Sequence, residues 1–165
     1  VEDLINKLEE KINKDFAKAF DLINQKFSHI FARLFEGGKA NLVLINNEDK
    51  GLGVDIEAKL PGKAKQNLSL LSGGERSLIA VSLLFAFFEI NPAPFCILDE
   101  ADAALDESNI SRYLDYLKSF KDIQFVIITH RKTSMEIADR LYGVTMEEEG
   151  ISKVVSLELE KLLEL

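Results

Sequence analysis

Residues 71–75, "LSGGE", have the types and spacing of a site for a phosphate group. Ser72 and Glu75 form the pattern of a helix capping box, with Gly73 and Gly74 between them. A helix start exposes unpaired N–H groups and a partial positive charge, so bare glycines would let an anion reach those amides. The Ser72 hydroxyl would add another donor. The spacing alone is equally consistent with an ordinary helix cap, although glycine costs a helix about 1 kcal/mol relative to alanine.

A second candidate site lies at the end of "FCILDE", where an apolar run stops at Asp99 and Glu100. In this arrangement the first carboxylate supports magnesium, usually through water, and the second orients and polarises an attacking water. Two acidic residues at the end of a buried strand are costly unless a cation or hydrogen-bond donors meet them. The alternative is a strand-end turn that keeps both carboxylates solvated. Asp106, six places after Glu100, has the position of a helix cap.

His130 is the third candidate, because it directly follows the apolar run "FVIIT". If the two apolar runs pair as strands, His130 lies beside Asp99 and Glu100, where an imidazole could donate to a γ-phosphate. A single histidine in a loop is more often only solvated. The order of the three groups along the chain is much more specific than any one of them.

The elements that would position these residues indicate an α/β fold. Residues 1–36 have apolar side chains every three or four places, which predicts a helix that Gly37 and Gly38 end. Its first half is charged on the other faces, as at the end of a coiled coil, and its Phe-rich second half is suited to burial in a domain. Because the chain opens with Val1 inside this pattern, we expect it to be part of a longer protein.

Beyond residue 38 the patterns predict strands and helices in alternation. "KANLVLI" and "GVDIEAKL" form a hairpin, and "ERSLIAVSLLFAFFEIN" is a buried helix that ends near Asn91. Two buried strands end at Glu100 and His130, with a helix from Asp106 between them and the short helix "SMEIADRLY" after them. A hairpin around residues 149–150 follows. In such a sheet, functional groups collect at the carboxyl ends of the strands.

The composition argues against several classes of protein and of site. The net charge of −8 argues against autonomous tight binding of nucleic acid, which depends on neutralising phosphates. The single Cys96 excludes an internal disulfide framework and is typical of a reducing cytoplasm, and the histidines are too few and too far apart for a zinc site. "LIAVSLLFAFF" stops at Glu89, short of a membrane span, and the sequence shows no secretory leader, so we expect no membrane partner.

"LSGGE", "CILDEADAALD" and "ITH" resemble, in order and spacing, the signature motif, the Walker B motif with its D-loop, and the switch histidine of ATP-binding-cassette (ABC) ATPases. With "NLSLLSGGER", "PAPFCILDE" and "THRKTSMEIADRLYGVTMEEEGISKVVSLEL", the whole chain resembles the C-terminal half of the head of a bacterial structural maintenance of chromosomes (SMC) protein. The resemblance implies the C-terminal lobe of an ABC-type (P-loop NTPase) head at residues 37–165, with a coiled-coil stalk helix at residues 1–36. ABC transporters have neither this stalk nor this tail.

The resemblance also implies roles for single residues. Glu100 would be the catalytic carboxylate, His130 would contact the γ-phosphate, Asp99 would support Mg²⁺ through water, and Asp106 would belong to the D-loop that communicates between two sites. The signature motif would bind an ATP held mainly by the opposite head, through Ser72, Gly73, Gly74 and Glu75.

The implied partners are the N-terminal half of the same head, a second head in an ATP-dependent dimer, and the C-terminal winged-helix domain of a kleisin subunit. DNA would be met through the full complex, in a cytoplasmic, nucleoid-associated assembly that condenses and segregates chromosomes. Gly62 and Lys63 do not form a Walker A loop, because Ala64 follows them and position 57 is not glycine. We therefore predict that the chain alone is an inactive part of an ATPase. The alternatives are a kleisin-docking module without activity, or the head of a coiled-coil DNA-repair ATPase.

Overall fold

The structure is a computed structural model that describes residues 2–47 and 51–158. Residues 48–50, within the connection of the first predicted hairpin, and residues 1 and 159–165, at the ends of the two predicted domains, lie outside them. In chain order the elements are α1 (Glu2–Leu34), β1 (Lys39–Asn47), β2 (Gly51–Lys59), β3 (Gln66–Asn67), a 3₁₀ turn (Leu68–Leu70), α2 (Gly73–Ile90), β4 (Phe95–Asp99), α3 (Glu107–Leu117), β5 (Gln124–Ile128), α4 (Lys132–Met135), β6 (Arg140–Glu148) and β7 (Ile151–Glu158).

The described strands form three small sheets. β1, β2 and β3 form an antiparallel sheet in that order, and β6 pairs with β7 as an antiparallel hairpin. β4 and β5 run parallel, with Phe95 opposite Gln124 and Asp99 opposite Ile128. The predicted hairpins and the predicted strand pair are therefore confirmed. The parallel pair brings the chain segments after Asp99 and Ile128 to the same edge.

The two halves of α1 lie in different environments. Apolar side chains of the first half are exposed, such as Leu4 at 63% and Ile12 at 64%, whereas Phe27 and Phe31 in the second half are fully buried against α2 and β1. The prediction that Gly37 and Gly38 end the helix is only partly right, because the first left-handed residue after Leu34 is Glu36, with a φ of +51°. Gly38 has a φ of +81°, and an added Cβ would lie 2.6 Å from the carbonyl oxygen of Lys59, so only glycine allows β1 to start there.

An ionic contact ties α1 to the rest of the domain. Glu89, near the end of α2, accepts a hydrogen bond from the Tyr116 hydroxyl at 2.6 Å and pairs with Lys26 of α1 at 2.9 Å. Burial raises the pKa of Glu89, but the hydrogen bonds from Tyr116 and Lys26 outweigh burial and lower the pKa overall. Arg33 lies over the Tyr116 ring, 5.1 Å from its centre. These contacts join α1 to α2 and α3.

α2 is the central helix of the core, as the sequence predicts. It ends at Asn91, whose N–H donates to the Phe87 carbonyl at 2.9 Å. The fully buried Phe85 stacks on Tyr113 and Tyr116 of α3, with ring centres 6.0 and 5.0 Å apart. The predicted buried face of α3 is also confirmed, because Ile110, Tyr113, Leu114 and Leu117 are all buried.

The prediction that β4 and β5 are buried on both faces is wrong for this chain. Leu98 is buried beneath the sheet, but the side chains that alternate with it are exposed. The exposed fractions are 59% for Phe95, 60% for Ile97, 46% for Val126 and 51% for Ile128. Alternation puts these four side chains on one face, and no described residue covers that face.

The predicted helix "SMEIADRLY" is only partly present. α4 ends at Met135, and Arg140–Tyr142 belong instead to β6, where Leu141 faces Leu157 and Tyr142 faces Ser156 of β7. The ladder to β7 offers partners to the backbone of these residues, which a short exposed helix could not match. No helix among residues 2–47 and 51–158 is both long and apolar enough to cross a bilayer.

Candidate nucleotide-binding site

Glu100 and His130 meet at the carboxyl ends of β4 and β5. The Nδ1 atom of His130 lies 2.9 Å from Oε2 and 3.1 Å from Oε1 of Glu100. Glu100 has a φ of +50°, a left-handed conformation that is uncommon for a residue other than glycine. Its amide donates to the carbonyl of Ile128 at 2.9 Å, which extends the parallel ladder past the end of the strands. Such a conformation costs about 1–3 kcal/mol, and Glu36 at the end of α1 shares it, so φ alone does not mark a site.

Asp99 and Glu100 suit a magnesium ion that is held mainly by phosphates and water. Asp99 is the last residue of β4, with an exposed side chain. Within the described ranges no three His, Cys, Asp or Glu side chains are grouped closely enough to hold a metal by themselves. Mg²⁺ keeps several waters and takes one or two carboxylates plus substrate phosphates. The donor set therefore fits a magnesium–nucleotide complex rather than an all-protein metal cage.

The start of α2 has the predicted capping box. The Ser72 oxygen accepts from the Glu75 amide at 3.2 Å, and the Glu75 carboxylate accepts from the Ser72 amide at 2.9 Å. Lys63 donates to the other oxygen of Glu75 at 2.7 Å. This hydrogen bond from Lys63, with the one from Ser72, lowers the pKa of Glu75. The first N–H that donates within the helix is that of Arg76, to the Ser72 carbonyl at 3.0 Å, so the amides of Gly73 and Gly74 have no acceptor within α2.

Gly73 and Gly74 differ in their surroundings. A Cβ added at Gly73 would have nothing within 4 Å, so its side is open to a ligand. A Cβ added at Gly74 would lie 2.6 Å from the carbonyl oxygen of Ala104. The sequence explains both glycines by the access that they give to an anion. In the structure, Gly74 is also required because the turn that follows Glu100 approaches it closely.

Asp106 caps α3, as one of its two sequence interpretations predicts. Its Oδ1 atom accepts from the Asn109 amide at 2.8 Å and from the Ser108 hydroxyl at 3.0 Å. The same residue lines a cleft of about 350 Å³ beside Ser72, Gly74 and Lys63. The capping role and a place at the edge of the candidate site are therefore both present.

Sequence reasoning missed Asp102, a fully buried carboxylate in the turn after Glu100. Its Oδ2 atom accepts from the hydroxyls of Thr129, at 2.7 Å, and of Ser134. The only available signal was a third acid within "DEAD", and its partners lie 27 and 32 residues away. Lys63 was considered only as a Walker A residue, so its contact with Glu75 was also missed.

The chain is similar to known proteins of one family. Residues 3–153 match the RecF/RecN/SMC N terminal domain family. The chain is 50% identical over 163 residues to the chromosome partition protein Smc of Bacillus subtilis (strain 168), which covers 98% of this chain and 14% of that protein. It therefore spans about one seventh of the length of this relative.

Solved structures of SMC heads share the fold. One, from work on the ATP-driven dimerization and DNA-stimulated activation of SMC ATPases, is 43% identical with a TM-score of 0.79, over 92% of each chain. Another is the Smc head domain with an extended coiled coil, bound to the C-terminal domain of ScpA and derived from Pyrococcus furiosus. It is 44% identical with a TM-score of 0.83, over 98% of this chain and 41% of that chain. The chain has an α/β fold of the SMC ATPase head type with an N-terminal helix, and it belongs to the RecF/RecN/SMC N terminal domain family.

Proposed function

We propose that the chain is the C-terminal half of the ATPase head of an SMC protein that acts in chromosome condensation and segregation. The observation that carries this proposal is the pairing of Glu100 with His130, 2.9 Å apart at the ends of two parallel strands, in a chain that also presents an open helix start at Gly73. The family takes its name from an N-terminal domain, so the assignment to a C-terminal half rests on the motifs. The chain carries signature, Walker B and histidine motifs and no Walker A pattern.

Hydrolysis is assigned to the strand-end residues. Glu100 is the carboxylate that orients and polarises the attacking water, and His130 donates to the γ-phosphate while its contact with Glu100 keeps both groups in place. Asp99 holds Mg²⁺ through water, and the ion supplies charge stabilisation to the phosphates. Phosphoryl transfer depends almost entirely on the positions of the reacting groups and on charge stabilisation, and the ends of two paired strands can hold Glu100 and His130 in such positions.

The start of α2 is assigned to a second nucleotide. The amides of Gly73 and Gly74 and the Ser72 hydroxyl bind the γ-phosphate of an ATP held by the opposite head, and Glu75 holds the loop in shape. The open space at Gly73 supports this assignment. Asp106 belongs to the D-loop at the edge of the same cleft. ATP bound between the heads would then join them, and hydrolysis would release them.

The N-terminal half of the head is proposed to cover the exposed face of β4 and β5. This face carries Phe95, Ile97, Val126 and Ile128, each about half exposed or more. Burying apolar area contributes about 25 cal/mol per Å², so covering these four side chains would favour the contact. The same assembly would bring the missing phosphate-binding loop to Asp99.

The kleisin is proposed to dock on the hairpin of β6 and β7 and on α1. Tyr142, Val144 and Met146 of β6 share one face with Val154 of β7, and each is more than 60% exposed. The Pyrococcus furiosus Smc head was solved with the C-terminal domain of ScpA bound. A chain that only docked a kleisin would use this surface while its motifs stayed idle, and this is the second candidate function. DNA would be contacted only through the full complex, in the cytoplasm at the nucleoid.

Mixing the chain with the N-terminal half of the head tests both candidate functions. The chain alone is expected to show no ATP turnover, because it lacks the loop that supplies most phosphate contacts. Adding the N-terminal half of the head is expected to produce turnover and ATP-dependent dimers, measured by phosphate release and by sedimentation. Robust turnover by the chain alone would overturn the assignment to half a head. A mixture that binds the kleisin without turnover or dimers would favour the docking module.

A further inference from the structure

The turn between Glu100 and α3 contacts both the strand-end site and the signature motif. At one end, Glu100 contacts His130 and accepts a hydrogen bond from the Ala103 amide at 3.0 Å. At the other end, the Ala104 carbonyl lies against Gly74, so close that a Cβ there would be 2.6 Å from its oxygen. The turn therefore lies between the strand-end site and the signature motif.

Asp102 fixes this turn to the loop that carries His130. Its side chain is 0% exposed, and one oxygen accepts from both Thr129 and Ser134. The other oxygen, Oδ1, is buried with no hydrogen-bond partner among the described residues. Burying a carboxylate with one unpartnered oxygen costs stability, which the two hydrogen bonds to the other oxygen offset only in part. The carboxylate fixes the positions of two segments relative to each other, the turn after Glu100 and the loop that carries His130.

Both neighbours of His130 are attached to the same turn. Thr129 donates its hydroxyl to Asp102 at 2.7 Å, and its oxygen accepts from the Arg131 amide at 3.0 Å. The Arg131 guanidinium donates to the Ala103 carbonyl at 2.9 Å. The imidazole of His130 therefore stands between two residues that are bonded to the turn, while its own contact is with Glu100 at the start of that turn.

We propose that Asp102 is a positioning residue that holds the loop of His130 in place, through its contact with Thr129 and together with the hydrogen bond from Arg131 to Ala103 of the same turn. This inference rests on the proposed function. It assigns to Asp102 the role of holding the geometry for hydrolysis rather than binding nucleotide.

The test uses the complete head, assembled from this chain and the N-terminal half. Thr129→Val removes the hydroxyl and keeps the shape, and Thr129→Ser keeps the hydroxyl. Ser119→Ala is the matched control, because it removes a hydroxyl that donates to the Tyr116 carbonyl at 2.6 Å, away from the turn. We expect Thr129→Val to lower kcat about tenfold or more, since small misplacements of reacting groups have effects up to about a hundredfold. KM, ATP-dependent dimerisation and the control should stay unchanged, and Thr129→Ser should restore kcat.

A second measurement does not depend on hydrolysis. Hydrogen exchange of the same heads without nucleotide should show faster exchange at the Ala103 and Leu105 amides in Thr129→Val, and wild-type exchange in Thr129→Ser and Ser119→Ala. Wild-type kcat and exchange in Thr129→Val would overturn the inference, as would equal losses of kcat, dimerisation and folded protein. If the wild-type head neither hydrolyses ATP nor dimerises, the proposed function fails. The exchange result still decides whether Asp102 braces the turn.

Discussion

Alanine at Gly74 should destabilise the complete head, whereas alanine at Gly73 should not. The two glycines are the first two residues of the same helix, so both substitutions gain a similar helix propensity, about 1 kcal/mol at most. They differ in what the new Cβ meets. At Gly73 it meets nothing within 4 Å, and at Gly74 it meets the Ala104 carbonyl oxygen at 2.6 Å. The difference between the variants therefore isolates one contact.

The size of that difference follows from the overlap. An ordinary Cβ contact begins at 3.4 Å, so the Gly74 variant must move the Ala104 carbonyl by roughly 0.8 Å or shift the start of α2. Overpacking of this kind costs about 1–3 kcal/mol. With a difference of about 2 kcal/mol and an m-value of about 2 kcal/mol/M, the urea midpoints of the two variants should differ by about 1 M.

Urea denaturation of both variants, followed by circular dichroism, checks this expectation. Gly73→Ala should unfold at or above the wild-type midpoint and still weaken ATP-dependent pairing of heads, because its methyl group enters the proposed phosphate site. Gly74→Ala should unfold earlier. Equal midpoints for the two variants would refute the reasoning, since they would mean that the turn after Glu100 does not press against the helix start.

Three further substitutions test other parts of the account. Glu100→Gln should leave ATP binding intact, abolish turnover and accumulate dimers on gel filtration, because the amide keeps the shape but cannot accept a proton, and unchanged turnover would contradict this role. Glu75→Gln tests the carboxylate that accepts the hydrogen bond from Lys63. Because the pKa of Glu75 is lowered from its ordinary value of 4.5, the ionised carboxylate stabilises the fold above that pH, and this contribution is lost as the pH falls through the lower pKa of the folded state. Wild type should therefore lose stability on acidification more steeply than Glu75→Gln, and superimposable acid profiles would contradict the contact. Tyr116→Phe removes the donor to Glu89, which should raise the pKa of Glu89 in an NMR titration and lower the free energy of unfolding by about 1–2 kcal/mol, whereas an unmoved pKa would count against the contact.

The sequence predicted the features that local patterns determine. The capping box of Ser72 and Glu75 and the cap at Asp106 each depend on residues within a few places of one another, and both are present. The strand ends at Asp99 and Ile128 were also predictable, because continuous apolar runs that stop at polar residues mark them. The pairing of these strands then placed His130 beside Glu100 without further information.

The features that were missed depend on contacts between residues far apart in the chain, or with residues that are not among those described. Nothing near Asp102 in sequence indicates that it meets Thr129, and nothing near Gly74 indicates the Ala104 carbonyl. The one-sided burial of β4 and β5 could not be predicted either. Their apolar runs are suited to a sheet covered on both faces, and the residues that would cover the second face are not among those described. The short α4 was missed because the ladder between β6 and β7 outweighs a weak helical pattern.

The most direct test of the central claim is the ATP-dependent pairing of complete heads that carry Glu100→Gln, measured by sedimentation, with and without Gly73→Tyr. Gly73 has open space around it, so the second substitution should leave the fold and the binding of ATP by each head intact. The account predicts dimers with ATP for Glu100→Gln alone and monomers under the same conditions when Gly73→Tyr is added. Undiminished dimers in the double variant would contradict the claim that this helix start binds the terminal phosphate of a nucleotide on the opposite head.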